Sequence, residues 1–241
     1  MKKVTTLLFV FTITVSCAGQ WGKSIKGNGE KVTIDRSTED YDAIAVSGFF
    51  DVDLVDGNEG NITLEGESNL LEYIITEVKD DKLVIKTKKG VNLKPSNWNN
   101  GIRITVPIES VDAIALSGSG DIVGKTTIKG NSLKTAMSGS GDITLKVDTQ
   151  YLSASMSGSG DITLSGNTED FEATISGSGD IKAFDLEADN VNATVSGSAD
   201  IKVTANKTLK ARVSGSGDIT YRGNPSKLDT KTSGSGDISK G

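Results

Sequence analysis

From residue 112 onward, apolar and polar positions alternate with a period of two, and the pattern is renewed about every 19 residues. Each renewal is marked by Ser-Gly-Ser-Gly-Asp-Ile, starting at Ser117, Ser138, Ser157, Ser176, Ser196, Ser214 and Ser233, with Ala199 in place of one glycine. With the first serine as slot 0, slots −5, −3 and −1 are mostly apolar (Leu152, Ala154 and Met156, then Phe171, Ala173 and Ile175), and slot +5 is isoleucine in all seven copies. The glycines at +1 and +3 share that parity, while the serines at 0 and +2 and the aspartate at +4 lie on the other. Such alternation is that of half-buried strands. A straight strand from −5 to +7 would be about 40 Å long, well beyond common lengths. The chain must therefore bend, and Gly-Ser-Gly is where it can. A period near twenty residues predicts a solenoid, here an all-β, right-handed parallel β-helix. Each coil is expected to hold two strands of about five residues joined at the Ser-Gly-Ser-Gly corner. A polar third side, such as Ser165 to Asp170, closes it. One coil buries too few apolar side chains to offset the entropy of ordering it, so the coils must stack.

Residues 31–110 carry shorter alternating runs and predict an elaborated β-rich N-terminal lobe: Lys31–Ile34, Ala43–Val46, Phe50–Val55, Asn61–Glu65, Ile75–Lys79, Lys82–Thr87 and Ile102–Pro107. Glu77 to Ile85 reads as a hairpin turning at Asp80-Asp81. Asn69 to Ile74 reads as one helical turn capped by Ser68 or Asn69. Residues 42–52 align without gaps on residues 112–122, an offset of 70, as a worn copy of the repeat. The lobe thus begins as a coil of the same kind. Residues 31–241 are expected to form one domain, with the coils proper over 111–241 and a polar linker over 21–30.

At the N-terminus, Lys2 and Lys3 precede a 12-residue apolar stretch, Val4 to Val15, then Ser16, Cys17, Ala18 and Gly19. This is too short to span a bilayer and fits a signal peptide. Cleavage before Cys17, removing residues 1–16, would make that cysteine a lipid anchor for an outer-membrane lipoprotein. Cleavage after Ala18 or Gly19 would release a soluble periplasmic or secreted chain. The net charge of −6 disfavours nucleic acid. Histidine is absent, which excludes a Ser-His-Asp triad and His-based zinc sites.

The repeat lines up Asp121, Asp142, Asp161, Asp180, Asp200, Asp218 and Asp237 in a column. At about 4.8 Å spacing, neighbouring carboxylates repel by roughly 1 kcal/mol in water-like surroundings. One hydrogen bond from each aspartate to its own turn offsets that; binding of a divalent cation such as Ca²⁺ is the other way to hold such a column. Lys79, Lys82, Lys86, Lys88, Lys89 and Lys94 form a basic run, read as a solvated hairpin face or a contact for anionic glycan or lipid. Trp98 stands in a polar loop, to stack on a sugar ring or fold back onto the lobe. The acids are spread evenly, whereas a polysaccharide-active enzyme needs a local cluster.

Four features carry a family resemblance: Ile25-Lys26-Gly27-Asn28-Gly29, Ser47-Gly48-Phe49-Phe50-Asp51-Val52, Glu77 to Ile85, and the Ser-Gly-Ser-Gly-Asp-Ile repeats. Together they resemble the head GIN domain family of autotransporter-adhesin heads. The resemblance implies an exported envelope protein with a β-helix, without established enzymatic activity or catalytic residues. The function expected on that basis is non-enzymatic adhesion or binding to a surface glycan or protein. A polysaccharide-active β-helix enzyme and a purely structural envelope component are the alternatives.

Overall fold

The computed structural model describes residues 22–97 and 101–241. The N-terminal lobe comprises β1 (Lys23–Lys26), β2 (Lys31–Ser37), β3 (Ala43–Gly48), β4 (Asp51–Asp56), β5 (Asn61–Glu67), α1 (Ser68–Leu71), β6 (Ile74–Lys79), β7 (Lys82–Thr87), β8 (Val91–Lys94) and β9 (Arg103–Ile108). The repeats comprise β10 (Ala113–Gly118), β11 (Ile122–Gly139), β12 (Ile143–Gly158), β13 (Asp161–Gly177), β14 (Asp180–Gly197), β15 (Asp200–Gly215), β16 (Ile219–Arg222), β17 (Lys227–Gly234) and β18 (Ile238–Lys240). Successive coils pair in parallel, stacking about seven turns into a β-solenoid.

Slot parity sets the burial. Leu152, Ala154, Met156, Ile162 and Leu164 point inward and are buried, and the same positions are buried in the neighbouring coils. The third side departs from expectation. It is paired strand as well: Val147, Asp148 and Thr149 of β12 face Gly166, Asn167 and Thr168 of β13. Its inward positions mix Val147 and Leu186 with small or hydroxylated residues, and the Thr149 hydroxyl donates to Thr168 Oγ1 across the coils at 3.2 Å. A strand therefore runs unbroken from one glycine corner to the next.

The worn copy is the first coil. β3 pairs with β10 in parallel, Ala43 on Ala113 through Gly48 on Gly118, which is the 70-residue offset of the alignment. Phe50 takes the inward slot that holds glycine in later coils and is fully buried. The expected hairpin is β6–β7, where Asp80 and Asp81 have φ of 52° and 56°, both positive as a type I′ turn requires. The helical turn is α1, but its N-cap is Glu67, with no side-chain capping bond. Its C-terminal end is instead held by Arg36, whose guanidinium donates to the carbonyls of Leu71 and Ile74, each at 2.6 Å. Residues 23–26, read as linker, form β1 and pair with β8, a strand without a sequence expectation.

Candidate functional site

The aspartate column is a hydrogen-bond ladder between coils. Oδ1 of Asp121 accepts from the N–H of Asp142 at 3.0 Å, and Asp142 accepts from Asp161 at 2.9 Å. Asp161 accepts from Asp180 at 3.1 Å, Asp180 from Asp200 at 3.4 Å, Asp200 from Asp218 at 2.9 Å, and Asp218 from Asp237 at 2.8 Å. The expectation that each aspartate bonds to its own turn is corrected, since its partner is one coil onward. At the corner the strand ladder is interrupted, and the carboxylate supplies the acceptor that the N–H of the next aspartate would otherwise lack. The ladder begins before the repeats, because Asp51 also accepts from the N–H of Asp121. Burial, followed by the charge of Asp121, pushes the Asp51 carboxyl above its ordinary value. Lys182 pairs with Asp161, and that hydrogen bond, with the charges of Asp180 and Asp142 adding to it, holds its ammonium above the ordinary lysine value. Among the described residues, no three acids gather as metal ligands would.

Removing one rung has a measurable consequence. Asp161→Ala is expected to cost about 1–2 kcal/mol in urea unfolding, as a charge-assisted bond at a partly exposed site. Asp161→Asn, whose amide oxygen can still accept, should recover most of that. An equal loss in both variants would assign the effect to charge rather than to the rung.

The glycines of the corner are imposed by the coil beneath. A Cβ on Gly139 would overlap the carbonyl oxygen of Gly118, and one on Gly141 that of Gly120. Gly139 also has φ of 146°, open to glycine alone. Among the seven repeats Ala199 is the single exception in the +3 slot, and next to it the Asp180–Asp200 rung is stretched to 3.4 Å, the longest of the ladder. The phrase is thus a corner fitting, in which glycine permits contact, isoleucine fills the core and aspartate ties the next coil.

A solenoid of this period, with an elaborated first coil and this corner, can be placed among known proteins. Residues 40–225 match the family described as "Putative auto-transporter adhesin, head GIN domain". The chain belongs to this family. The structure of a putative adhesin from Bacteroides fragilis NCTC 9343 is similar at a TM-score of 0.82 and 24% identity, over 90% of this chain and 99% of that one. A putative lipid binding protein from Parabacteroides distasonis ATCC 8503 gives 0.76 and 28% over 91% and 100%. A putative adhesin from Parabacteroides merdae ATCC 43184 gives 0.71 and 23% over 91% and 99%. No curated protein matches the chain. The family and these neighbours carry adhesin and binding names rather than enzyme names. Membership points to an exported or surface protein. No helix among the described residues is long and apolar enough to cross a membrane.

In this head GIN domain the Gly-Asn-Gly segment is explained by Glu67, a residue that sequence reasoning passed over. Glu67 is fully buried, and its carboxylate accepts from the N–H of Gly29 at 2.5 Å and of Ser96 at 2.8 Å. A Cβ on Gly27 would overlap that carboxylate. Asn28 completes the clasp: its N–H donates to Asn69 Oδ1 at 3.0 Å and its Nδ2 to Ser68 Oγ at 2.8 Å. Burial pushes the Glu67 carboxyl up, but hydrogen bonds from the Ser96 side chain and N–H and the Gly29 N–H outweigh it and hold the pKa below the ordinary value. No periodicity points to Glu67, which shares the strand parity of the outward Asn61, Thr63 and Glu65 and is buried only because the Gly27–Gly29 segment covers it.

The lysine run lies around the β6–β7 hairpin and β8. Lys79 and Lys82 face each other beside the turn, and Lys86 pairs with Glu77 at 2.7 Å. Cys17 and Trp98 lie outside the described residues. Two hollows on the surface of the coils bear on binding. One is a cleft of about 370 Å³ where β11 loses register between Val123 and Thr127, lined in part by Asp56, Glu109 and Lys129. The other is a groove on the outer surface of β12 to β15, lined in part by Tyr151 and Glu172.

Proposed function

We propose that this chain is a non-enzymatic adhesion module of the cell envelope. Lipid on Cys17 holds it to the outer membrane, and its outward positions bind a surface glycan or protein. One observation carries the reading: constant and variable outward positions are divided between corner and faces. The corner serines and aspartates repeat from coil to coil, and the aspartates are engaged with backbone of the next coil. Slots −6, −4 and −2 hold a different combination in each coil, from Tyr151, Ser153 and Ser155 to Asn190, Asn192 and Thr194. A fixed scaffold that displays a varied surface is how solenoids build extended binding faces. An enzyme would concentrate its acids and bases at one irregular place. The repeated acids here are distributed along the whole stack and serve the backbone.

The test is binding set beside turnover. The exported chain, on a glycan array and with activity screens on the same polysaccharides, is expected to show saturable retention without product. Turnover without stable binding would overturn the reading in favour of an enzyme. For the anchor, a fatty-acid probe is expected to label the wild type and not Cys17→Ala; equal absence of label in both would point to cleavage after Ala18 or Gly19.

A further inference from the structure

We propose that the groove across β12 to β15 binds a short neutral oligosaccharide, an assignment that rests on the binding-module reading above. The groove consists of two adjoining hollows of about 320 and 380 Å³ that share Thr208 and Lys210. One wall is slot −6 of four successive coils: Tyr151, Asp170, Asn190 and Thr208. The opposite wall is slot −4, with Glu172 and Asn192. The coil before this stretch has Ser132 at slot −6 and the coil after it has Lys227, so the aromatic, acid, amide and hydroxyl occur together only here.

The wall is held in place before any ligand arrives. Tyr151 Oη donates to Glu172 Oε2 at 2.7 Å, tying the two walls together. Asn190 Nδ2 donates to Asp170 Oδ1 at 2.9 Å, and Thr208 Oγ1 donates to Asn190 Oδ1 at 2.8 Å. Side chains fixed in this way lose little further freedom on binding, which removes one of the main costs of weak polar recognition.

The chemistry selects the ligand. A carboxylate that accepts one hydrogen bond keeps further acceptor sites, and an amide both donates and accepts. Two carboxylates and two amides beside one phenol ring therefore offer mostly acceptors, with one apolar face. Sugar hydroxyls supply the donors, and the C–H face of a pyranose suits the ring. An anionic glycan would meet Asp170 and Glu172 at close range. A basic peptide would meet Lys210 and Lys227 at the far end. Four rungs at about 4.8 Å span roughly 14 Å, enough for several sugar units lying across the coils.

The test is calorimetric titration of the full exported chain with neutral hexasaccharides of β-1,4-glucose, β-1,3-glucose and α-1,6-mannose, and with hexagalacturonate. Saturable binding of at least one neutral hexasaccharide is expected, at least tenfold weaker in Tyr151→Ala and in Asn192→Ala. Asn192→Ala is the check on folding, because that side chain lies on the outer surface and its loss should leave thermal melting unchanged. Absence of binding by all three neutral sugars overturns the proposal, as does preference for hexagalacturonate. Binding that survives both substitutions also overturns it, while leaving the adhesion-module reading intact.

Discussion

Gly139→Val is expected to lower the melting temperature by about 10 °C, the equivalent of roughly 4 kcal/mol in a chain of this size. Two costs add. Valine must adopt a φ of 146°, where a branched side chain is strained by about 1–3 kcal/mol. Its Cβ must also displace the carbonyl of Gly118, which belongs to the paired coil and cannot rotate away without breaking the corner. Forcing atoms into a packed site costs about another 1–3 kcal/mol. Gly130→Val is the matched control: that glycine sits on the exposed part of β11, with no atom nearer than 4.0 Å to an added Cβ and no positive φ. It should change stability by no more than about 0.5 kcal/mol, as ordinary surface substitutions do. Similar melting of the two variants would mean that the glycines are kept for something other than contact between coils.

Ala199 shows how little slack the corner has. One methyl in the +3 slot accompanies the longest rung of the ladder, 3.4 Å, against 2.8–3.1 Å elsewhere. The sequence announced the corner because its constraint recurs in every coil, and recurrence is visible in one dimension. For the same reason the register of β3 on β10 could be read from an offset of 70 residues. Relations across coils were hidden. Periodicity places Asp142 above Asp121, but cannot tell whether the carboxylate reaches its own turn or the N–H one coil onward. The third side looked like a loop because several of its inward residues, such as Gly166, Thr149, Thr168 and Ala188, are too small or too polar to read as core, and Val147 and Leu186 each stand alone among them in their own coil. The groove at Tyr151 needs side chains drawn from successive coils, and the clasp at Glu67 joins segments 38 and 29 residues away. Neither has a period, and both are local departures from the rule that builds the fold.

The clasp gives the second large effect, and its sign follows from chemistry. The carboxyl of Glu67 is held below its ordinary value when folded, so its contribution is complete at a pH above the unfolded value of about 4.3. It is lost as pH falls through the folded pKa, when the proton competes with the N–H groups of Gly29 and Ser96 for the oxygens. Glu67→Gln preserves shape but offers one oxygen to two donors, and its NH₂ then faces an N–H at a fully buried site. A loss of about 2–3 kcal/mol at neutral pH is expected, with the N-terminal segment around Gly29 released first. As pH falls below about 4, wild type should lose stability faster than Glu67→Gln, so the gap between them narrows. The comparison isolates this group, because Glu77 and Asp229, whose carboxyls are also held low by Lys86 and Arg212, titrate equally in both proteins. Parallel pH profiles would show that the Glu67 proton is not what the clasp depends on. A converging pair, with Gly29 and Ser96 amides exchanging faster in Glu67→Gln, would place the one buried acid of the lobe at the junction that fastens the first strand to the solenoid.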